Sequence, residues 1–242
     1  MKPEKISIRR VKLTARQQLK KSFSDALKAN FFMIVFQVIQ VWILALSILT
    51  IIMTVNDPSS SSTSGSNNPL GPENIITVLA RAVMTLFVWS ALWTTIDAFQ
   101  APNSKVTFRQ TLQSFTNGHF GVTFLLALVQ NILLKLWTVL TMPLLSIPGI
   151  VKRFSYSQTY YAYKMDLLFN RKQRSLTDYI TISRRVMDGH KWELFRLELS
   201  FFFWHLLGIL TFGLGYIYVL PYLYTSRVVY STQIFAQAVK EP

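Results

Sequence analysis

The chain has 242 residues, of which 51% are hydrophobic and only 15% charged, with 25 Lys and Arg against 11 Asp and Glu. The apolar residues collect into runs of twenty or more separated by short basic stretches, which excludes one or two soluble domains and indicates a protein that crosses a membrane several times. There is no cysteine, which excludes a disulfide scaffold, a zinc-thiolate site, an iron–sulfur protein and a cysteine enzyme. A formal charge of +14 in a soluble protein would suggest nucleic acid. Here the basic residues flank apolar spans, so anionic lipid headgroups are the expected partner and nucleic acid is not.

Residues 1–30 form a basic cytosolic arm with nine Lys or Arg and two acids. The arm is too long for a signal peptide, and no small-residue cleavage site follows the first apolar run. Thr14 and Gln17 have capping-box spacing. Leu19, Phe23 and Leu27 share one helical face, with Arg16, Lys20, Lys21 and Lys28 elsewhere. This pattern predicts a basic amphipathic helix lying on the inner membrane surface.

Six spans are expected, at 31–54, 75–95, 119–142, 148–168, 191–212 and 214–236, followed by a cytosolic tail at 237–242. The first carries no charge and is long enough to cross. Residues 55–74 are rich in Ser, Gly, Asn and Pro and read as a loop. The second span is interrupted by Arg81. Between it and the third, Phe108, Leu112 and Phe115 mark a short amphipathic helix after Thr107. The third contains Gln130, Asn131 and Lys135, and ends at Pro143 and a turn at Ile147-Pro148-Gly149. The fourth is polar, with Lys152, Arg153, Lys164 and Asp166. It is read as crossing because the basic loop at 169–191 would otherwise lie outside. A polar crossing segment must face protein or a water-filled cavity.

Ser175 is the expected cap of a cytosolic helix that runs to about Met187 and ends at Gly189. The last two spans form a hairpin around Gly213-Leu214-Gly215, with Pro221 tolerated inside the sixth. The expected outer segments, 55–74, 143–147 and 213–215, hold no Lys or Arg. The fold class is therefore an all-α polytopic membrane protein, a six-helix transmembrane bundle with an N-terminal basic amphipathic helix and both termini inside.

IPGIVKRFSYS at 147–157, MDGHKWELFRLELSFFFW at 187–204 and LGILTFGLGYIYVLPY at 207–222 resemble a bacterial integral membrane family, domain of unknown function 975, found mainly in Gram-positive bacteria. The likeness extends weakly to residues 14–31 and to FRQTLQSFTNGHFG at 108–121, while the Ser-rich loop at 59–68 lies outside the family pattern. The resemblance implies a six-helix protein of the bacterial plasma membrane. It implies no reaction.

Two constellations stand out. Glu198 and Arg227 lie 14 or 15 residues on either side of a hairpin turn centred near 212–213. At 1.5 Å per residue both sit roughly 21 Å below the turn. An ion pair or water-bridged contact is expected there, fixing helix register, with a proton or ion relay as the competing reading. Arg81, Lys135, Lys152 and Arg153 lie toward the outer side with no acid evident at that depth. They read as snorkelling side chains with interhelical hydrogen bonds, or as an outward-open pocket for a lipid headgroup or acidic peptide. Ser155, Ser157, Gln158 and Thr159 would complete it. His190 and Glu193 at i, i+3, with His205 mid-span, do not supply the convergent ligands a metal needs. No phosphate loop, catalytic set or cofactor motif is present.

Two functions remain. The leading one is a non-enzymatic membrane accessory or integrity factor that engages anionic lipids, which predicts a dry, packed fourth span. The other is a transporter or export component with a polar cavity lined by spans 3 and 4. Pro148-Gly149 and Pro221 fit broken transporter helices, but no inverted repeat is visible.

Overall fold

A computed structural model describes residues 5–56, 72–100, 106–116, 118–140 and 147–240. The described residues form helices and no strand. Most of the expected outer segments 55–74 and 143–147, including Pro143, lie outside them, as do Lys105 and the last two residues of the third expected span, 141–142.

The amphipathic arm is two helices, α1 (Ile8–Lys21) and α2 (Phe23–Ala29), broken at Ser22. Thr14 and Gln17 lie within α1, so they do not start it; Ser7 occupies the cap position. Val11, Ala15 and Leu19 are buried one turn apart, the spacing of a single helical face. That face is covered by protein, packing with Leu197, Phe201, Tyr222 and Tyr230, whereas the sequence suggests that it lies on lipid. Lys12 crosses the contact: its Nζ donates to Ser200 Oγ at 3.1 Å and sits 4.5 Å from the Phe201 ring. Burial lowers the pKa of this ammonium from the ordinary lysine value, because desolvation penalises the charged form.

Three helices among the described residues are long and apolar enough to cross a membrane, at Phe31–Thr54, Ile76–Gln100 and Phe120–Leu140. They lie in α3 (Phe31–Asn56), α4 (Pro72–Gln100) and α6 (Phe120–Leu140). Between α4 and α6, Thr107 caps a 3₁₀ turn (Phe108–Leu112) through a capping box with Gln110, and the turn leads into α5 (Gln113–Thr116). This is the short helix expected after Thr107.

The fourth expected span is two helices, α7 (Ile147–Ser155) and α8 (Thr159–Leu168). Ile147-Pro148-Gly149 opens α7 and is not a turn. A proline fits a helix's first turn, where backbone N–H groups have no intrahelical acceptor. α7 packs antiparallel on the end of α6, and the chain that follows α8 returns to the start of α6. Lys152 stacks on Trp137, and Gln173 meets His119 at the opposite end. The break at 156–158 is closed by side chains: Gln158 N donates to Ser183 Oγ, which donates to Ser155 O.

Ser183 belongs to α9 (Leu176–Val186), capped by Ser175 and Asp178 and followed by Gly189 at φ +79°. The fifth expected span is also divided, into α10 (Lys191–Leu199) and α11 (Phe202–Leu210). The last helix, α12 (Tyr216–Lys240), is continuous through Pro221 and takes in most of the expected tail.

The α11–α12 turn packs on α3. Gly213, at φ +98°, lies against Val38, and Phe212 lies 6.1 Å from Trp42 between ring centres. Val38 and Trp42 are about 10 and 17 Å along α3 from Phe31, and α3 is about 39 Å long. The turn therefore reaches less than half-way along α3. Beyond it, Leu46, Ile48, Leu49, Ile51, Ile52 and Met53 are all exposed.

Gly208 permits this tight hairpin, since a Cβ there would stand 2.7 Å from the Tyr216 ring. Gly208→Val is expected to destabilise the detergent-solubilised protein by about 1–3 kcal/mol, the usual cost of overpacking. Gly121→Ala, where a Cβ meets nothing within 4 Å, is the neutral control. Thermal unfolding of the two variants side by side checks this.

Candidate functional site

Polar and charged side chains gather at two places. The first is a cavity of about 590 Å³ walled by α4, α6, α7, α8, α10 and α12. Arg81 enters from α4, Lys135 from α6 and Arg153 from α7. Gln130 and Asn131 of α6, Ser157 and Gln158 at the helix break, and Glu198 and Arg227 also line it. The two constellations singled out in the sequence thus share one volume.

Lys152 is the exception. Its Nζ lies 4.3 Å from the centre of the Trp137 ring, and it is not among the residues lining the cavity. Successive residues of a helix are turned by about 100°. With Arg153 directed to the cavity, Lys152 takes a different face and finds an aromatic partner.

Each wall has its own support. Asn131 Nδ2 donates to Thr85 Oγ1 at 3.0 Å and to Ala127 O at 2.8 Å, tying α6 to α4. Tyr160 OH and Ser231 Oγ are 2.7 Å apart, and Ser231 Oγ is 2.7 Å from Gln158 Oε1. Arg227 Nη2 donates to Glu198 Oε1 at 2.6 Å across α12 and α10. Four cations, Arg81, Lys135, Arg153 and Arg227, thus surround the cavity with Glu198 as the one carboxylate in its lining.

The second place is a buried network that the sequence does not single out. Lys164 Nζ lies 2.9 Å from Asp97 Oδ1 and donates to Gln113 Oε1 at 2.8 Å. Gln113 Nε2 donates in turn to Thr94 Oγ1. Lys164 is 6% exposed and Asp97 31%. The available signal is the rule that a lysine in an apolar segment needs a carboxylate. Asp97 stands two residues beyond the expected end of span 2, outside the apolar run. Asp166, on the same segment, pairs with Arg174 at 3.3 Å.

His190 Nδ1 lies 2.9 Å from Glu193 Oε2, and Tyr230 OH donates to His190 O. This is a local pair closing the start of α10. No group of three potential metal ligands occurs among the described residues.

The model of the family described as "Protein of unknown function (DUF975)" matches residues 144–238, the family that the stretches at 147–157, 187–204 and 207–222 resemble. The match takes in α7 to α12, which supply Arg153, Glu198 and Arg227; Arg81 and Lys135 stand outside it. No curated protein and no solved structure matches the chain.

The Lys164 network makes an asymmetric prediction. Asp97→Asn strands a buried ammonium and should cost roughly 3–5 kcal/mol. Lys164→Met leaves a part-exposed carboxylate and should cost less. The double variant should be more stable than Asp97→Asn alone. Melting temperatures of the three purified variants check the order.

Proposed function

We propose that the chain is a non-enzymatic integral protein of a bacterial plasma membrane, with both termini cytosolic, and that its cavity holds an anionic headgroup. One observation carries this reading: four cations from α4, α6, α7 and α12 converge on a single volume that contains one carboxylate. Snorkelling sends cations outward to lipid phosphates. Convergence on one half-open volume instead builds a positive potential there, which low-dielectric walls strengthen. The volume falls in the range of small-molecule sites, roughly 300–1,000 Å³. The basic N-terminal arm supports an anionic membrane surface as its neighbour.

The cavity also changes the balance between the two sequence readings. A dry, packed fourth span was the expectation of a simple scaffold. A cavity lined from α6 and α7 is the feature expected of a transport component, and it supports that second reading as well.

The proposed topology has four crossing paths, α3, α4, α6 and the broken α7–α8, and a hairpin of α10, α11 and α12 that enters part-way and returns. The contacts of the 212–213 turn with Val38 and Trp42 support it.

The absence of cysteine gives a clean labelling experiment. Single cysteines at Ser62, Ser157, Ser175 and Leu214 would be exposed to a membrane-impermeant maleimide in intact cells. Ser62→Cys should label and Ser175→Cys should not. Leu214→Cys should be protected; labelling as strong as at Ser62 would give six full spans. Labelling at Ser157→Cys shows a cavity open to the outside.

Ligand retention tests the cavity itself. Purified protein should retain phosphatidylglycerol over phosphatidylcholine. Replacing Arg81, Lys135 and Arg153 by Gln should reduce that preference by at least roughly tenfold, or about 1.4 kcal/mol. Equal retention of the two lipids by the native protein would overturn the reading.

A further inference from the structure

Arg227 is held by protein on several sides but its hydrogen-bonding capacity is not filled. Nη2 takes Glu198 Oε1 at 2.6 Å, and the guanidinium lies 5.7 Å from the centre of the Tyr224 ring. Its Nε is buried with no hydrogen-bond partner. An arginine offers a planar fork that fits a carboxylate or phosphate through two parallel bonds, and Glu198 does not take the Nε side of that fork.

Glu198 is also not sealed in. Its side chain is 29% exposed and that of Arg227 is 25%, and both residues line the cavity. The remaining cations, Arg81, Lys135 and Arg153, come from three other helices. An anion drawn in by those three reaches a fourth cation whose present partner is chemically a carboxylate.

Resting on the anion-cavity reading above, we propose that Glu198 is a built-in stand-in for the ligand: it holds Arg227 while the cavity is empty and yields it to the phosphate or carboxylate of an entering anion. No bond is made or broken covalently; one charge-assisted hydrogen bond replaces another. Empty, the α10–α12 contact is closed by Glu198. Filled, the ligand joins α12 to α4, α6 and α7, and Glu198 is released toward the cavity. Glu198 is then a competitor for the site. Removing its charge tightens anion binding through the freed Arg227, the opposite of what a binding residue predicts.

The test uses full-length protein in phosphatidylcholine nanodiscs, titrated separately with dioctanoyl phosphatidylglycerol and with inorganic phosphate. Glu198→Gln should bind the favoured probe roughly tenfold more tightly than the native protein. Arg227→Gln should remove that gain in the Glu198→Gln background. Should Glu198→Gln fail to fold, Glu198→Asp, whose shorter stem weakens the contact, should give a smaller gain in the same direction. Unchanged or weaker binding in whichever variant folds overturns the proposal. If native binding depends on Arg81, Lys135 and Arg153 yet ignores Glu198, the stand-in fails and the anion cavity survives. If neither probe binds the native or the Glu198 variant better than the triple-Gln variant, both fail. Binding of phosphatidylglycerol alone identifies a lipid headgroup, and equal binding of phosphate identifies a free anion.

Discussion

A lysine ammonium that is 6% exposed governs how the middle of the chain packs. An unpaired buried charge costs several kcal/mol, so Lys164 must be met by protein. Asp97 from α4 and Gln113 from α5 meet it from two elements that are separate in sequence. That requirement brings the end of α4, the short helix α5 and α8 to one level. Trp93 then reaches α8 as well, its Nε1 donating to Tyr160 O at 3.0 Å. The same enclosure lets the chain break between α7 and α8, because polar backbone at a helix break needs partners and side chains from α9 supply them. The break in turn places Ser157 and Gln158 on the cavity wall. The Lys164 anchor and the cavity are thus consecutive consequences of one polar segment threaded through apolar helices.

The last helix ties the remaining parts to this core. α12 presents Val219, Leu220, Tyr224 and Val228 to the cluster built on α4, and Tyr222, Leu223, Val229 and Tyr230 to the one built on α1 and α10. A helix buried on both sides needs few charges, and Arg227, the one cation in its middle, is matched by Glu198. At its start the close approach to α11 depends on Gly208. The side chains of Phe202, Phe203, Leu206, Leu210, Phe212 and Leu214 are left outward and exposed. Such a surface is stable against hydrocarbon and not against water, which is consistent with a membrane around this hairpin even though neither α11 nor α12 appears among the three long apolar candidates.

The parts of this arrangement that the sequence discloses are those set by local rules. Thr107 and Ser175 announce their helices because each has an acceptor for its own orphan N–H groups and a partner three residues on. Counting residues from a turn centred at 212–213 brings Glu198 and Arg227 to equal depth, and the structure pairs them, since antiparallel helices at a tight turn leave little freedom in register. Long-range choices are hidden. Thr14 and Gln17 have cap spacing, but nothing in the sequence shows that the helix begins about two turns earlier. The apolar face of α1 is visible; its cover, protein in place of lipid, is not, because hydrophobic surface is satisfied by either. The breaks at 156–158 and 200–201 carry no proline or glycine. They follow from tertiary hydrogen bonds that composition does not record. Asp97 is missed for the same reason: its role is set by a lysine 67 residues away.

The neighbours Lys152 and Arg153 show why convergence, and not charge alone, distinguishes the cavity. Both sit on α7 at nearly the same height, and both are cations on an otherwise apolar helix. One lies over an indole ring at the surface of α6, the arrangement expected of a long side chain finding the nearest favourable surface. The other joins Arg81 and Lys135 around a shared volume. Like charges directed to one space raise the cost of the empty state, since they repel one another. A protein with no use for that space would lower its energy by turning them apart, as the helical offset already does for Lys152. Three of them kept together beside a carboxylate-bound arginine are the arrangement that the proposed anion would complete.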